Sequence, residues 1–160
     1  MRRWRGLTVA ECLIALTILS VTVLAATMTL SAGAHHDRRA DLAAIAVRLG
    51  RDLLEEIASR DFREPVSPPV FGPESGEATR SSYDDVDDYH NHAEPRGALT
   101  NFDGVLHSPN DQRFARAANV TAAALTVADL GRTVNGLTVE VTVTGETGEK
   151  WVFTRFIPEP

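Results

Sequence analysis

The sequence predicts an α+β protein. Three observations carry that expectation: a long apolar run near the N-terminus, an amphipathic helical stretch directly after it, and strand-like alternation toward the C-terminus. The apolar half is expected in a membrane or filament core, and the amphipathic half packed on a small antiparallel β-sheet. With 160 residues, the chain suits one modest domain plus a separate segment. Sixteen Lys and Arg stand against 22 Asp and Glu, a formal net charge of −6. That balance gives no support to direct nucleic-acid binding through a broad basic face. Cys12 is the one cysteine, which excludes an intrachain disulfide and zinc motifs that need two or more cysteines.

The first element follows from residues 1–30. Arg2, Arg3 and Arg5 precede residues 7–30, where Glu11 is the only formally charged side chain. Twenty-four residues at about 1.5 Å each give a helix of roughly 36 Å, enough for a hydrocarbon core of about 30 Å. The leading arginines favour a cytoplasmic N-terminus and an outward C-terminal bulk. A secretory signal peptide or plain single-pass anchor is the competing reading. The run exceeds the usual signal core of about 7–15 residues, and the small residues at 31–34 match a cleavage site only loosely. A carboxylate inside an apolar span is also costly without a partner.

Gly6-Leu7-Thr8-Val9-Ala10-Glu11, with basic residues before it and an apolar helix after it, resembles the processing site of the type IV pilin and pseudopilin family. The resemblance implies a leader of residues 1–6, cleavage between Gly6 and Leu7 by a prepilin peptidase, and methylation of the new N-terminal Leu7. That family most often has Phe where this chain has Leu7. The resemblance further implies that Glu11 of one subunit meets the Leu7 amine of a neighbour as helices stack. Each charge is expensive alone in lipid and tolerable when paired. A Glu lying near the interface and reaching back to headgroups is the alternative for this residue.

The second element is an amphipathic continuation of the helix over residues 31–63. Leu42, Ile45, Leu49, Leu53 and Ile57 recur at spacings of three and four, one helical stripe. Arg48 with Asp52, Arg51 with Glu55 and Glu56 with Arg60 stand at i, i+4, each pair worth about 0.2–0.5 kcal/mol. Gly33 and Gly50 weaken the helix by about 1 kcal/mol each relative to Ala. A single helix from residue 7 to about residue 63 would measure about 85 Å; two helices bent at residues 31–33 are the alternative.

Residues 64–112 read as a Pro-rich and acidic loop region. Pro65, Pro68, Pro69 and Pro73 break the helix. Residues 74–94 then carry seven acids against Arg80, so a solvated surface loop is expected, with a short helical turn around residues 82–88. Asp84, Asp85, Asp87 and Asp88 form a weaker candidate set for Ca²⁺, since carboxylates suit that ion and some heads of the resembled family bind it in a loop. Their spacing does not fit an EF-hand. No other cofactor is expected.

The last element is a small antiparallel sheet over residues 113–160. Leu137, Val139, Val141 and Val143 alternate with Thr138, Glu140, Thr142 and Thr144, a half-buried strand. A turn over residues 145–148 leads into a returning strand over 150–157. Upstream, strands are expected around 114–121 and 124–127, with the Ala run at 122–124 weakening the stretch between them.

No catalytic constellation is legible, so an enzyme is not expected. The resemblance implies a minor pilin or pseudopilin that primes or joins a type IV pilus or type II secretion pseudopilus. Its implied partners are other such subunits, the prepilin peptidase, the membrane, and the inner-membrane assembly platform with its ATPase. The implied location is the bacterial inner membrane, single-pass, followed by a periplasmic or extracellular filament. A DNA-uptake pseudopilin and a membrane-anchored extracytoplasmic binding domain outside any filament remain the alternatives.

Overall fold

The computed structural model describes residues 8–63, 71–127 and 131–160. It is an α+β arrangement in which one long N-terminal helix leads into a four-stranded antiparallel sheet. The helix, α1, runs Val9–Ala58. The strands are β1 (Ala93–Glu94), β2 (Ala115–Val127), β3 (Arg132–Thr144) and β4 (Lys150–Pro158). The chain divides after Asp41 into two compact units.

In the first unit α1 is exposed throughout, and over residues 12–34, which include Leu13, Met28 and Leu30, it carries no charged side chain. Its length and composition are sufficient to cross a membrane. The hydroxyls in this stretch are satisfied within the helix. Thr17, Ser20, Thr22, Thr27 and Thr29 each donate to a carbonyl three or four residues earlier, at 2.7–2.9 Å. Such back-bonding removes the cost of carrying hydroxyls into apolar surroundings.

In the second unit the expected stripe is the buried face. Leu49, Leu53 and Ile57 are fully buried, with Leu42 and Ile45 packed at the margin. They share the core with Phe114, just before β2, with Ala118 and Val120 of β2, and with Leu137, Val139, Val141 and Val143 of β3. The strand order is β1-β2-β3-β4, and each neighbouring pair is antiparallel. Val141 of β3 faces Ala118 on one side and Phe153 on the other.

Five expectations need correction, four of them local. The helix ends at Ala58 rather than near residue 63; Ser59 and Arg60 close it through hydrogen bonds to Glu56 and Ile57, and Asp61 then bridges to Asp85. Residues 115–127 form one strand, because Ala122, Ala123 and Ala124 lie opposite Leu137, Gly136 and Asn135 and a continuous ladder outweighs weak propensity. The sheet begins with β1, inside the segment expected to be loop. Of the three i, i+4 pairs, Arg48 meets Asp52 at 3.7 Å, but Glu56 turns inward to Arg80 instead of Arg60. The Pro65, Pro68 and Pro69 breaks lie outside the described residues.

The acidic segment is the largest departure. Asp85, Val86, Asp87, Asp88 and Tyr89 are buried rather than solvated. Two 3₁₀ turns, Arg80–Ser82 and Asp87–Tyr89, shape it. Its apolar members enter the core, and several of its carboxylates accept backbone N–H groups, which lets an acid-rich stretch fold inward.

Candidate functional site

Two features stand out chemically, one in each unit. The first is the start of α1. The Thr8 backbone N–H donates to Glu11 Oε2 at 2.8 Å, the Thr8 hydroxyl donates to the same oxygen at 2.9 Å, and the Glu11 N–H donates to Thr8 Oγ1 at 3.3 Å. This reciprocal arrangement is a capping box, which satisfies otherwise orphaned donors at a helix start. The Thr8-x-x-Glu11 spacing was the available sequence signal for it. Glu11 is therefore held by its own helix within a single chain. Gly6 and Leu7, the processing pair and methylation site implied by the resemblance, lie outside the described residues.

The second feature is a buried charge network joining α1 to the sheet. Glu56 comes from α1, Arg80 from the first 3₁₀ turn, Glu94 from β1 and Arg116 from β2. Arg80 Nε donates to Glu56 Oε1 at 2.6 Å, and its Nη1 donates to Glu94 Oε1 at 3.0 Å. Arg116, whose side chain is fully buried, pairs through Nε with Glu94 Oε2 and donates to the carbonyls of Thr100 at 2.6 Å and Leu49 at 3.3 Å. The Tyr89 hydroxyl donates to Glu56 Oε1 at 2.7 Å.

Two acids and two bases make the network neutral, which is the condition under which buried charge is tolerable. Burial alone would raise the Glu56 carboxyl. Hydrogen bonds from Arg80 and Tyr89, with the Arg80 and Arg116 charges, override it and hold the carboxyl below its usual range. Glu94 is likewise raised by burial and brought below its usual range by Arg116, the Thr100 N–H and Arg80. Such a network ties the helix face, the acidic segment and two strands to one geometry, and it offers no nucleophile beside a base. Its members are far apart in sequence, so no local spacing announces it.

The four aspartates singled out from the sequence are placed in different surroundings. Asp84 is exposed, and its N–H donates to Asp88 Oδ2 at 2.9 Å. Asp85 Oδ1 accepts the N–H groups of Asp87 at 2.9 Å and Asp88 at 3.2 Å. Asp87 Oδ2 accepts the Gly72 N–H at 2.9 Å. Burial, with the Asp87 and Asp88 charges, pushes the Asp85 carboxyl up to about 7 against the N–H bonds it accepts. Asp88 alone of the four converges with further acids, Glu74 and Glu77 of the preceding connector. Burial and the facing Glu77 carboxyl outweigh two backbone N–H bonds and push Asp88 up to about 6. His90 and His92 diverge as well: His90 Nδ1 lies 2.6 Å from the Val120 carbonyl, while His92 stacks edge-on to Tyr83 and Tyr89.

No family model matches the chain, and no curated protein or solved structure matches it significantly. The functional reading therefore rests on the residues themselves.

Proposed function

We propose that the protein is a minor pilin or pseudopilin, a structural subunit that primes or joins a type IV pilus or type II secretion pseudopilus after its leader is removed. One observation carries the reading: a helix apolar on every side, with Glu11 in its first turn, runs on into an amphipathic half that covers a small antiparallel sheet. A simple anchor needs only an apolar span. It needs neither a carboxylate at the start of that span nor a helix continuing into the core of the head.

On this reading the Leu7 amine, freed by cleavage after Gly6, is positive near neutral pH. It offers the Glu11 carboxylate of an adjoining subunit a partner of opposite charge. Glu11 then leaves its own capping box, or shares it, and only a correctly staggered subunit supplies that partner. The head, locked to the second half of α1 by the neutral charge network, would be carried outward with the helix. The subunit acts through packing and performs no catalysis, and the prepilin peptidase and assembly platform are its partners.

Mass analysis of the N-terminus tests this directly. The expected product begins at methylated Leu7; retention of Met1, or a cut near Ala34, refutes the reading. Glu11→Ala and Glu11→Gln then separate the two roles of the carboxylate. Gln keeps an acceptor for the Thr8 N–H, so the helix cap survives while the charge is lost. Both variants should insert in the membrane and fail to enter filaments. Normal incorporation of Glu11→Gln would mean that the capping role is the whole of its function.

A further inference from the structure

From the carboxylates of Glu74, Glu77 and Asp88 we infer a binding site for a hard divalent cation, Ca²⁺, that clasps the connector after α1 to the buried acidic turn. One oxygen from each residue lies within 4.8 Å of the other two. Oxygens at about 2.3–2.6 Å from a common ion fall within that separation, whereas the tighter octahedron of Mg²⁺ is less readily met. The three ligands are all carboxylates, without His or Cys, the donor set of a hard cation rather than zinc or copper.

An acidic cluster alone would not carry this. The second observation is a buried oxygen that no N–H or O–H donor meets and that faces another carboxyl. Asp88 is 1% exposed, and its Oδ1 is buried without a hydrogen-bond partner, as is Glu74 Oε2. The other Asp88 oxygen is already occupied by the N–H groups of Asp84 and Asp85, at 2.9 and 3.2 Å. That fixes the carboxylate and leaves its second oxygen without a donor. Glu77 is oriented similarly, its Oε2 accepting the Glu74 N–H at 3.0 Å. A buried acceptor left unsatisfied among like charges is costly, and a doubly charged ion relieves both costs together. Three carboxylates leave room for waters or backbone carbonyls to complete six to eight oxygens.

The site is independent of filament assembly. The full-length protein in detergent, stripped with EDTA and exchanged into buffer at pH 7.5, should bind Ca²⁺ with one-to-one stoichiometry in calorimetry. Its thermal midpoint should rise by several degrees at millimolar Ca²⁺. Glu74→Gln and Glu77→Gln, which alter the partly exposed connector and not the buried turn, should fold and lose about tenfold or more in Ca²⁺ affinity. Two results overturn the proposal. One is absence of both heat and midpoint shift with Ca²⁺ in the wild-type protein. The other is an unchanged affinity in both Gln variants, which would place any bound ion elsewhere.

Discussion

Gly50 is the position where helix propensity and tertiary packing make opposite predictions. Gly50 lies within α1, where replacing Gly by Ala ordinarily stabilises by about 1 kcal/mol. In the folded head, however, a Cβ built at Gly50 would run into the Phe153 ring of β4, reaching Cδ2 and Cε2 at less than contact distance and Cγ at 3.1 Å. Overpacking of this kind costs about 1–3 kcal/mol. The clash falls on three ring carbons rather than the end of a flexible chain, so the upper half of that range applies. Gly50→Ala should therefore destabilise the head by about 1–2 kcal/mol net, lowering its thermal midpoint by about 5 °C. Near-UV circular dichroism of the full-length protein in detergent would follow the loss of aromatic packing. The same substitution in a Phe153→Leu background should be neutral or stabilising, since the ring is gone, and the difference between backgrounds measures the contact. A higher midpoint for Gly50→Ala in the wild-type background, or an equal loss in both, would refute the reasoning.

Further outcomes follow from the buried charges. Arg116→Met should cost about 3–5 kcal/mol by leaving Glu94 short of a partner, and adding Glu94→Gln should recover part of the loss; urea unfolding of the two variants compares them directly. Glu56 and Glu94 have folded-state pKa values below their ordinary ones. Their stabilisation is present above the unfolded value near 4.5 and is lost as pH falls through the folded values. Asp85 and Asp88, pushed up to about 7 and about 6, add stability as pH falls toward 3.8. Thermal midpoints should therefore drop only below that value, and Glu94→Gln should flatten that acid limb. Thr8→Val should remove one half of the capping box and lower helicity at the start of α1, read by amide exchange of residues 9–12, at a cost of about 1 kcal/mol.

Local regularity made much of the architecture legible. The spacing of Leu42, Leu49, Leu53 and Ile57 named the buried helix face, and the alternation from Leu137 to Val143 named the inner face of β3, because burial on one side imposes the period of the element itself. The same logic failed where small residues carry no pattern. Ala122 to Ala124 read as an interruption, yet their pairing with β3 keeps β2 whole. The capping box at Thr8 and Glu11 was within reach of sequence reading, since its partners are three residues apart.

What the sequence determined alone was therefore the α+β class, the apolar first half of the helix, its amphipathic continuation and the strands of the C-terminal hairpins. Tertiary structure decided the fate of the charged residues. Seven acids over residues 74–94 looked solvated by composition, but several turn inward because Arg80, Arg116 and backbone N–H groups meet them there. Whether Gly50 weakens the helix or admits Phe153 was decided in the same way. The physical reason is common to both: periodicity reports what a residue's own element requires, whereas the cost of burying a charge or a Cβ depends on which distant side chain arrives to meet it.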